Sequence, residues 1–246
     1  MLRLNRVSFW YDVRESPIVY DCSLTVGDKE FVAVVGSSGC GKSTLLKVAS
    51  GLMYSYLRRH EASHYTIDGE IRWNDVPISE PHSAFGYVPQ NFAASLMPWL
   101  TAQSNVLEAV RKSASPKPDE ERASDLLERS GIYDKRGLKV RQLSGGQQQR
   151  VAICRALVTQ PMLVFMDEPF ASLDRSLVPE ITKLLQGLRN DYSISMLVVT
   201  HDQDHAMRFA DKVIEIRGDK GRPEYGILNN GARAAGATSP TSPTSP

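Results

Sequence analysis

A chain of 246 residues is long enough for one domain with an elaboration, or two small ones, around a substantial core. Lys and Arg number 29 against 28 Asp and Glu, a balance that excludes a strong overall field for nucleic acid or an anionic membrane surface. Cys22, Cys40 and Cys154 are odd in number and lack the spacing of a zinc or redox site, which points to a reducing, intracellular compartment.

The start, MLRLNRVSFWYDV, shows no basic leader followed by an apolar stretch, so no signal peptide is expected. RLNRVSFWY and IVYDCSLTV alternate apolar and polar residues on either side of a turn near Arg14 to Pro17, the pattern of an antiparallel edge. Four later segments share another design: FVAVV before Gly36, FGYVP before Gln90, MLVFM before Asp167, and MLVV before Thr200 and His201. Continuous apolar runs mark strands buried on both faces, as in a parallel sheet covered by helices. Runs of at most five residues fall far short of the roughly 20 that span a bilayer, so the chain is not expected to cross a membrane by itself. In open α/β sheets ligands bind beyond the carboxyl ends of the strands. Gly36 to Thr44, Gln90, Asp167, Glu168 and His201 should therefore meet at one crevice.

The segment YSYLRRHEASHYT, residues 54 to 66, reads as a solvated loop; His60 and His64 alone would leave a metal short of ligands. From Asn91 to Arg141 the pattern is helical. Thr101 caps a segment carrying Val106, Leu107 and Val110, and Pro118 with Asp119, Glu120 and Glu121 opens another carrying Ala123, Leu126 and Leu127. Residues 91–141 thus read as a helical subdomain inserted in a core of 1–90 and 142–228. Further helices fit Arg175 to Asn190, with Pro179 marking an early turn or kink, and Asp204 to Ala210. Residues 229–246, with three TSP repeats, have nothing apolar to bury and read as a disordered tail.

GSSGCGKST fits the phosphate-loop pattern G-x-x-x-x-G-K-[ST] and stands between a buried strand and a helix. Gly36, Gly39 and Gly41 allow backbone N–H groups to turn inward on a β-phosphate, with Ser37, Ser38 and Cys40 between them. Lys42 neutralises β and γ oxygens, the Ser43 hydroxyl is placed to ligate Mg²⁺, and Thr44 adds a phosphate contact. The Cys40 thiol lies within this ring and is expected to be open to alkylation. In MLVFMDEP, Asp167 holds the hydrated Mg²⁺ and Glu168 is the general base or water orienter, an effect usually worth about 10²- to 10⁴-fold in rate. His201 could hydrogen-bond the γ-phosphate and hold the attacking water.

A second anion-binding stretch follows at 143 to 150, LSGGQQQR, where Ser144 and Gln147 form a capping box ahead of Val151, Cys154, Leu157 and Val158. Two glycines cost helix stability but leave bare amides at the positive end of the dipole, which makes sense if a phosphate comes to them. Together GSSGCGKST, Gln90 in YVPQN, LSGGQQQRVAICRAL, MLVFMDEP, ASLD at 171–174 and His201 resemble the ordered motif set of the ATP-binding cassette (ABC) ATPases, over residues from about 4 to 217. The resemblance implies an α/β fold, with a P-loop NTPase (RecA-like) core of mainly parallel sheet, an N-terminal antiparallel β subdomain and the inserted helical subdomain.

The resemblance also implies ATP and Mg²⁺ as cofactors and a head-to-tail homodimer. Ser144, Gly145 and Gly146, with Gln147 beside them, would contact the γ-phosphate held by a second ATP-binding subunit. Gln90 would sense Mg²⁺ and the attacking water, Asp174 would tie the two sites together, and Tyr11 would stack on adenine, with Trp10 as the alternative. The helical subdomain would meet an integral membrane permease, which places the subunit peripherally on the cytoplasmic face of the cell membrane. LMPWLTAQSNV is similar to a segment of nitrate, sulfonate and taurine importer ATPases, whereas the insertion at 54–66 is closer to peptide-type importers. An importer with a solute-binding protein is the reading preferred over an exporter. It is also preferred over a soluble ABC ATPase acting on DNA or ribosomes, because only about 100 residues without heptads separate Thr44 from Leu143, and no nucleic-acid partner is expected. A small-molecule P-loop kinase would leave LSGGQ and His201 unexplained.

Overall fold

A computed structural model of the chain describes residues 1–59, 65–111, 120–171, 173, 176–217 and 224–228. The N-terminal alternation gives β1 (Leu2–Trp10) and β2 (Val19–Val26), paired antiparallel with Leu2 opposite Val26. The apolar run that follows is β3 (Phe31–Gly36), which leads through the glycine-rich loop into α1 (Lys42–Ala49).

The next segment departs from the sequence expectation. Residues 52–59 are not a loop but a helix, α2 (Leu52–Arg59), because Met53 and Leu57, four apart, share one face and are buried against the N-terminal sheet. His60 and His64 lie outside the described residues. Thr66 then opens β4 (Thr66–Trp73), antiparallel to β1, and Asn74 and Asp75, at φ 47° and 65°, turn the chain into β5 (Val76–Pro77). Left-handed conformations at both central residues suit a two-residue hairpin, and they complete a four-stranded sheet in the order β2-β1-β4-β5.

The remaining apolar runs become β6 (Phe85–Val88), β7 (Leu163–Asp167) and β8 (Ser195–Thr200). With β3, β9 (Lys212–Arg217) and β10 (Glu224–Leu228) they form a second sheet in the order β10-β9-β3-β8-β7-β6. Every pair in it is parallel except β9 with β10. The period-two alternation divides each strand between two cores. Val32, Val34, Phe165, Leu197 and Val199 face the antiparallel sheet, α1 and α2. Ala33, Val35, Val164, Met166 and Val198 face the helices of the other layer. That double coverage is why these strands read as unbroken apolar runs.

Between β6 and β7 lie α3 (Phe92–Ser95), α4 (Ala102–Arg111), α5 (Glu120–Arg129), two single 3₁₀ turns and α6 (Gly145–Leu157). Asn91 caps α3 by accepting from Ala94 N at 3.1 Å, and Thr101 accepts from Ser104 N at 3.1 Å to open α4. Val106, Val110, Ala123, Leu126 and Leu127 are buried as their spacing requires, while Pro118 and Asp119 lie outside the described residues. Helix α7 (Val178–Tyr192) begins later than the sequence suggested, and Pro179 does not kink it. The proline occupies the first turn, where its missing N–H has no intrahelical partner to lose. Helix α8 (Gln203–Phe209) starts one residue early because Asp202 caps it, accepting from His205 N at 2.9 Å. Among the described residues no helix is long and apolar enough to cross a membrane.

Phe165 is fully buried and stacks edge-on to Phe85 at 5.2 Å between ring centroids. Phe165→Ala is expected to lower unfolding stability by about 3–5 kcal/mol. The 54% exposed neighbour Met162 should tolerate Met162→Ala within about 0.5 kcal/mol. Urea unfolding of the two variants checks both values.

Candidate active site

The loop after β3 is shaped by glycine. Gly39 and Gly41 hold φ of 81° and 99°, and a Cβ on Gly41 would lie 2.5 Å from the Ile18 carbonyl oxygen. Only glycine lets the loop pass this close to the turn ahead of β2. Helix α1 starts at once with Lys42, whose side chain is only 6% exposed. Its Nζ donates to the carbonyls of Gly36 and Ser37, each at 2.9 Å, and stands 3.6 Å from Glu168 Oε1. Next along the helix, the Ser43 hydroxyl donates to Asp167 Oδ1 at 2.7 Å.

Asp167 ends β7 in a buried setting. Burial raises its carboxyl above the usual range, with the Ser43 hydrogen bond and the nearby Lys47 and Lys42 charges pulling the other way and Glu168 adding to the rise. Glu168 has a left-handed backbone at φ 47°, held by its own N–H donating to the Val199 carbonyl at 2.9 Å. For a non-glycine residue that conformation costs about 1–3 kcal/mol and turns the carboxylate away from the strand direction. Glu168 Oε2 accepts from His201 N at 3.3 Å and lies 2.9 Å from His201 Nδ1. His201 itself remains 60% exposed.

A cavity of about 530 Å³ is lined by Tyr11, Ser38, Gly39, Gly41, Lys42, Ser43, Thr44, Gln90 and Glu168, while Asp167 and His201 stand behind it, joined to it through Ser43 and Glu168. Glu15, Ser16 and Ile18 of the β1–β2 turn complete its wall. Sequence reading missed those three, because a turn between two antiparallel strands carries no motif of its own. Tyr11 is 45% exposed and stands edge-on to Phe9 at 4.8 Å. Trp10 points to a separate depression with Asn5, Tyr20 and Asp68, so of the two aromatics Tyr11 is the one at this cavity. Gly36, Ser37 and Cys40 lie behind the lining, the Cys40 sulfur 2.8 Å from where a Cβ on Gly36 would be. Cys22 and Cys154 are fully buried, and burial pushes both thiols up to about 12, which leaves Cys40 as the accessible thiol.

The second glycine pair sits elsewhere. Ser144 Oγ accepts from Gln147 N at 3.4 Å and Gln147 Oε1 accepts from Ser144 N at 3.0 Å, the reciprocal box that opens α6. Ser144 and Gly145 are exposed, a Cβ on Gly145 would meet nothing within 4 Å, and no residue of 143–147 lines the cavity. Asp174 lies outside the described residues.

A glycine loop capped by a buried lysine, an acidic strand end and a histidine that meets its glutamate define a P-loop nucleotide-hydrolysing site. A family model described as ABC transporter matches residues 19–171, and the chain belongs to that family. It is similar to the bicarbonate transport ATP-binding protein CmpD of Synechocystis, 37% identical over 87% of this chain and 73% of that protein. It is also similar to the aliphatic sulfonates import ATP-binding protein SsuB of Bacillus licheniformis, 32% identical over 90% and 81%. Among solved structures it resembles the ATP-binding cassette MJ0796 in a dimeric, post-hydrolysis state bound to ADP and Pi. The TM-score there is 0.72 at 30% identity, covering 91% of this chain and 98% of that one. The chain is an ATP-binding ATPase of a transporter.

Gly41→Ala tests the loop directly: the added methyl meets backbone at Ile18, which cannot withdraw as a side chain could. ATP affinity should fall at least about tenfold, an equilibrium change of about 1.4 kcal/mol, with circular dichroism unchanged. Fluorescent-nucleotide titration reads the loss.

Proposed function

We propose that the chain is the ATP-hydrolysing subunit of a membrane importer, working as a head-to-tail homodimer in which the LSGGQ helix of each copy closes on the phosphate held by the other. The observation that carries this reading is the separation of two anion-binding helix starts in one chain. The loop before α1 borders the cavity, whereas Ser144 and Gly145 are exposed away from it. A second copy supplies what the cavity lacks, and the dimeric state of MJ0796 supports that arrangement. The names of CmpD and SsuB, bicarbonate transport and aliphatic sulfonates import, support import by a permease that this subunit drives from the cytoplasmic face, with a solute-binding protein delivering cargo.

In this reading adenine lies on Tyr11 and the phosphates enter the loop, drawn by its amides, the α1 dipole and Lys42. Ser43 Oγ and Asp167, already 2.7 Å apart, offer the hard oxygen ligands that Mg²⁺ takes alongside phosphate and water, and Gln90 reaches the same place from the cavity wall. When bound, Mg²⁺ neutralises the β and γ oxygens. Glu168 accepts a proton from water as the water oxygen bonds to the γ-phosphorus and the bridging O–P bond breaks, giving ADP and Pi. His201, bonded to Glu168 through Nδ1 and otherwise exposed, orients that carboxylate, hydrogen-bonds the γ-phosphate and holds the attacking water. Ser144, Gly145, Gly146 and Gln147 of the partner copy contribute amides and hydroxyl to the same phosphate, and Asp174 links the two sites.

Glu168→Gln should retain ATP binding, lower turnover about 10²-fold or more, and accumulate an ATP-bound dimer on size exclusion. Near-normal steady-state hydrolysis would contradict the role. Ser144→Arg should abolish turnover while the monomer binds ATP as before. A monomer that loses nucleotide would show that Ser144 acts within its own chain.

A further inference from the structure

Tyr87 plays no part in the chemistry above, yet its surroundings are those of the site. On β6 it stands opposite Phe165 of β7 in the parallel register. Asp167 follows Phe165 by two residues, so it lies on the same face of β7, diagonal to Tyr87 and within reach of a long side chain. That face is the one covered by α1, the helix that carries Ser43. The Tyr87 hydroxyl is buried, and among the described residues no group meets it with hydrogen-bond geometry.

A tyrosine kept only for packing would be better as phenylalanine, because a buried donor without a partner is disfavoured. Asp167 supplies the complementary need. Its Oδ1 accepts from Ser43, and a buried carboxylate calls for further donors to hold it ionised and in one rotamer. We propose that Tyr87 is a positioning residue for the metal-holding carboxylate: its hydroxyl donates to Asp167 when nucleotide and cation are bound, and fixes the carboxylate that, with Ser43, holds the cation. The proposal rests on the reading of Asp167 as a Mg²⁺ ligand.

The test is Mn²⁺ binding to the full chain saturated with ADP, followed by electron paramagnetic resonance, beside ADP affinity in EDTA. Tyr87→Phe should weaken Mn²⁺ about tenfold, as loss of an orienting partner does, and leave metal-free ADP affinity within twofold. Asp167→Asn should weaken Mn²⁺ more, and adding Tyr87→Phe to it should cost nothing further. Unchanged Mn²⁺ affinity in Tyr87→Phe while Asp167→Asn loses it overturns the role of Tyr87 alone. Equal losses of Mn²⁺ and metal-free ADP affinity also overturn it, since they mark a structural effect. Wild-type Mn²⁺ affinity in Asp167→Asn would instead overturn the metal reading beneath it. Fluorotyrosine at position 87 gives a measurement without removing the hydroxyl. Its fluorine resonance should shift when Mg²⁺ joins the ADP complex and should not shift in Asp167→Asn. A resonance indifferent to Mg²⁺ in the unmutated chain overturns the proposal.

Discussion

The structure turns on burying charge at the end of a sheet. Lys42, Asp167 and Glu168 are each less than 10% exposed, and burying such groups is costly unless opposite charges and hydrogen-bond partners lie close by. Strand register supplies the closeness. Asp167 pairs with Val199 and Thr200 with Val35, so the loop, the acidic pair and His201 leave adjacent strands at the same level. The Glu168 N–H then bonds back to Val199, which holds its left-handed turn and aims the carboxylate at both Lys42 and His201. A slip of one residue in β7 would send Asp167 to the opposite face. The side chains of β3, β7 and β8, packed into a different core on each face, oppose that slip. Core packing therefore sets the geometry of the charges, and the charges have no role apart from it.

The same argument separates the two glycine motifs. Gly41 is tight because the Ile18 carbonyl passes against it, and Lys42 behind it is enclosed. Gly145 is open, with its capping box satisfied inside α6 and its outer amides facing solvent. A helix start this well capped needs no ligand to be stable. A side chain at Gly145 would meet nothing of its own chain, whereas Gly41 is the point where the protein's own backbone passes.

Much of this was legible in the sequence, and the gaps have physical reasons. GSSGCGKST, the S-x-x-Q box and the apolar runs ahead of Gln90, Asp167 and His201 are local patterns whose spacing encodes their conformation. Helix α2 was obscured because its apolar pair, Met53 and Leu57, is set among tyrosines and arginines, and its burial depends on a sheet formed by distant strands. Pro179 reads equally as a break or as a first turn until the start of the helix is known. Glu15, Ser16 and Ile18 reach the cavity only because β1 pairs with β2, and Tyr87 stands diagonal to Asp167 only through the β6–β7 register. Each depends on which segments pair or where an element starts, which the pattern within one segment does not show.

The segment LMPWLTAQSNV shows how a motif can join two unlike tasks. Asn105 is fully buried, and its amide is spent entirely on the loop before it. Its Oδ1 accepts from Met97 N at 2.8 Å, while its Nδ2 donates to the carbonyls of Met97 at 3.0 Å and Thr101 at 3.1 Å. Leu96 and Ala102 anchor the two ends in the core. Held this way, the Pro98–Trp99 corner has little freedom, and Trp99 projects at 66% exposure, the most exposed large hydrophobic side chain among the described residues. An indole left in water gains nothing for the fold, whereas one fixed in place by a buried asparagine loses little entropy when a partner covers it. The asparagine's internal bonds thus fix in place a tryptophan that the fold itself leaves in water.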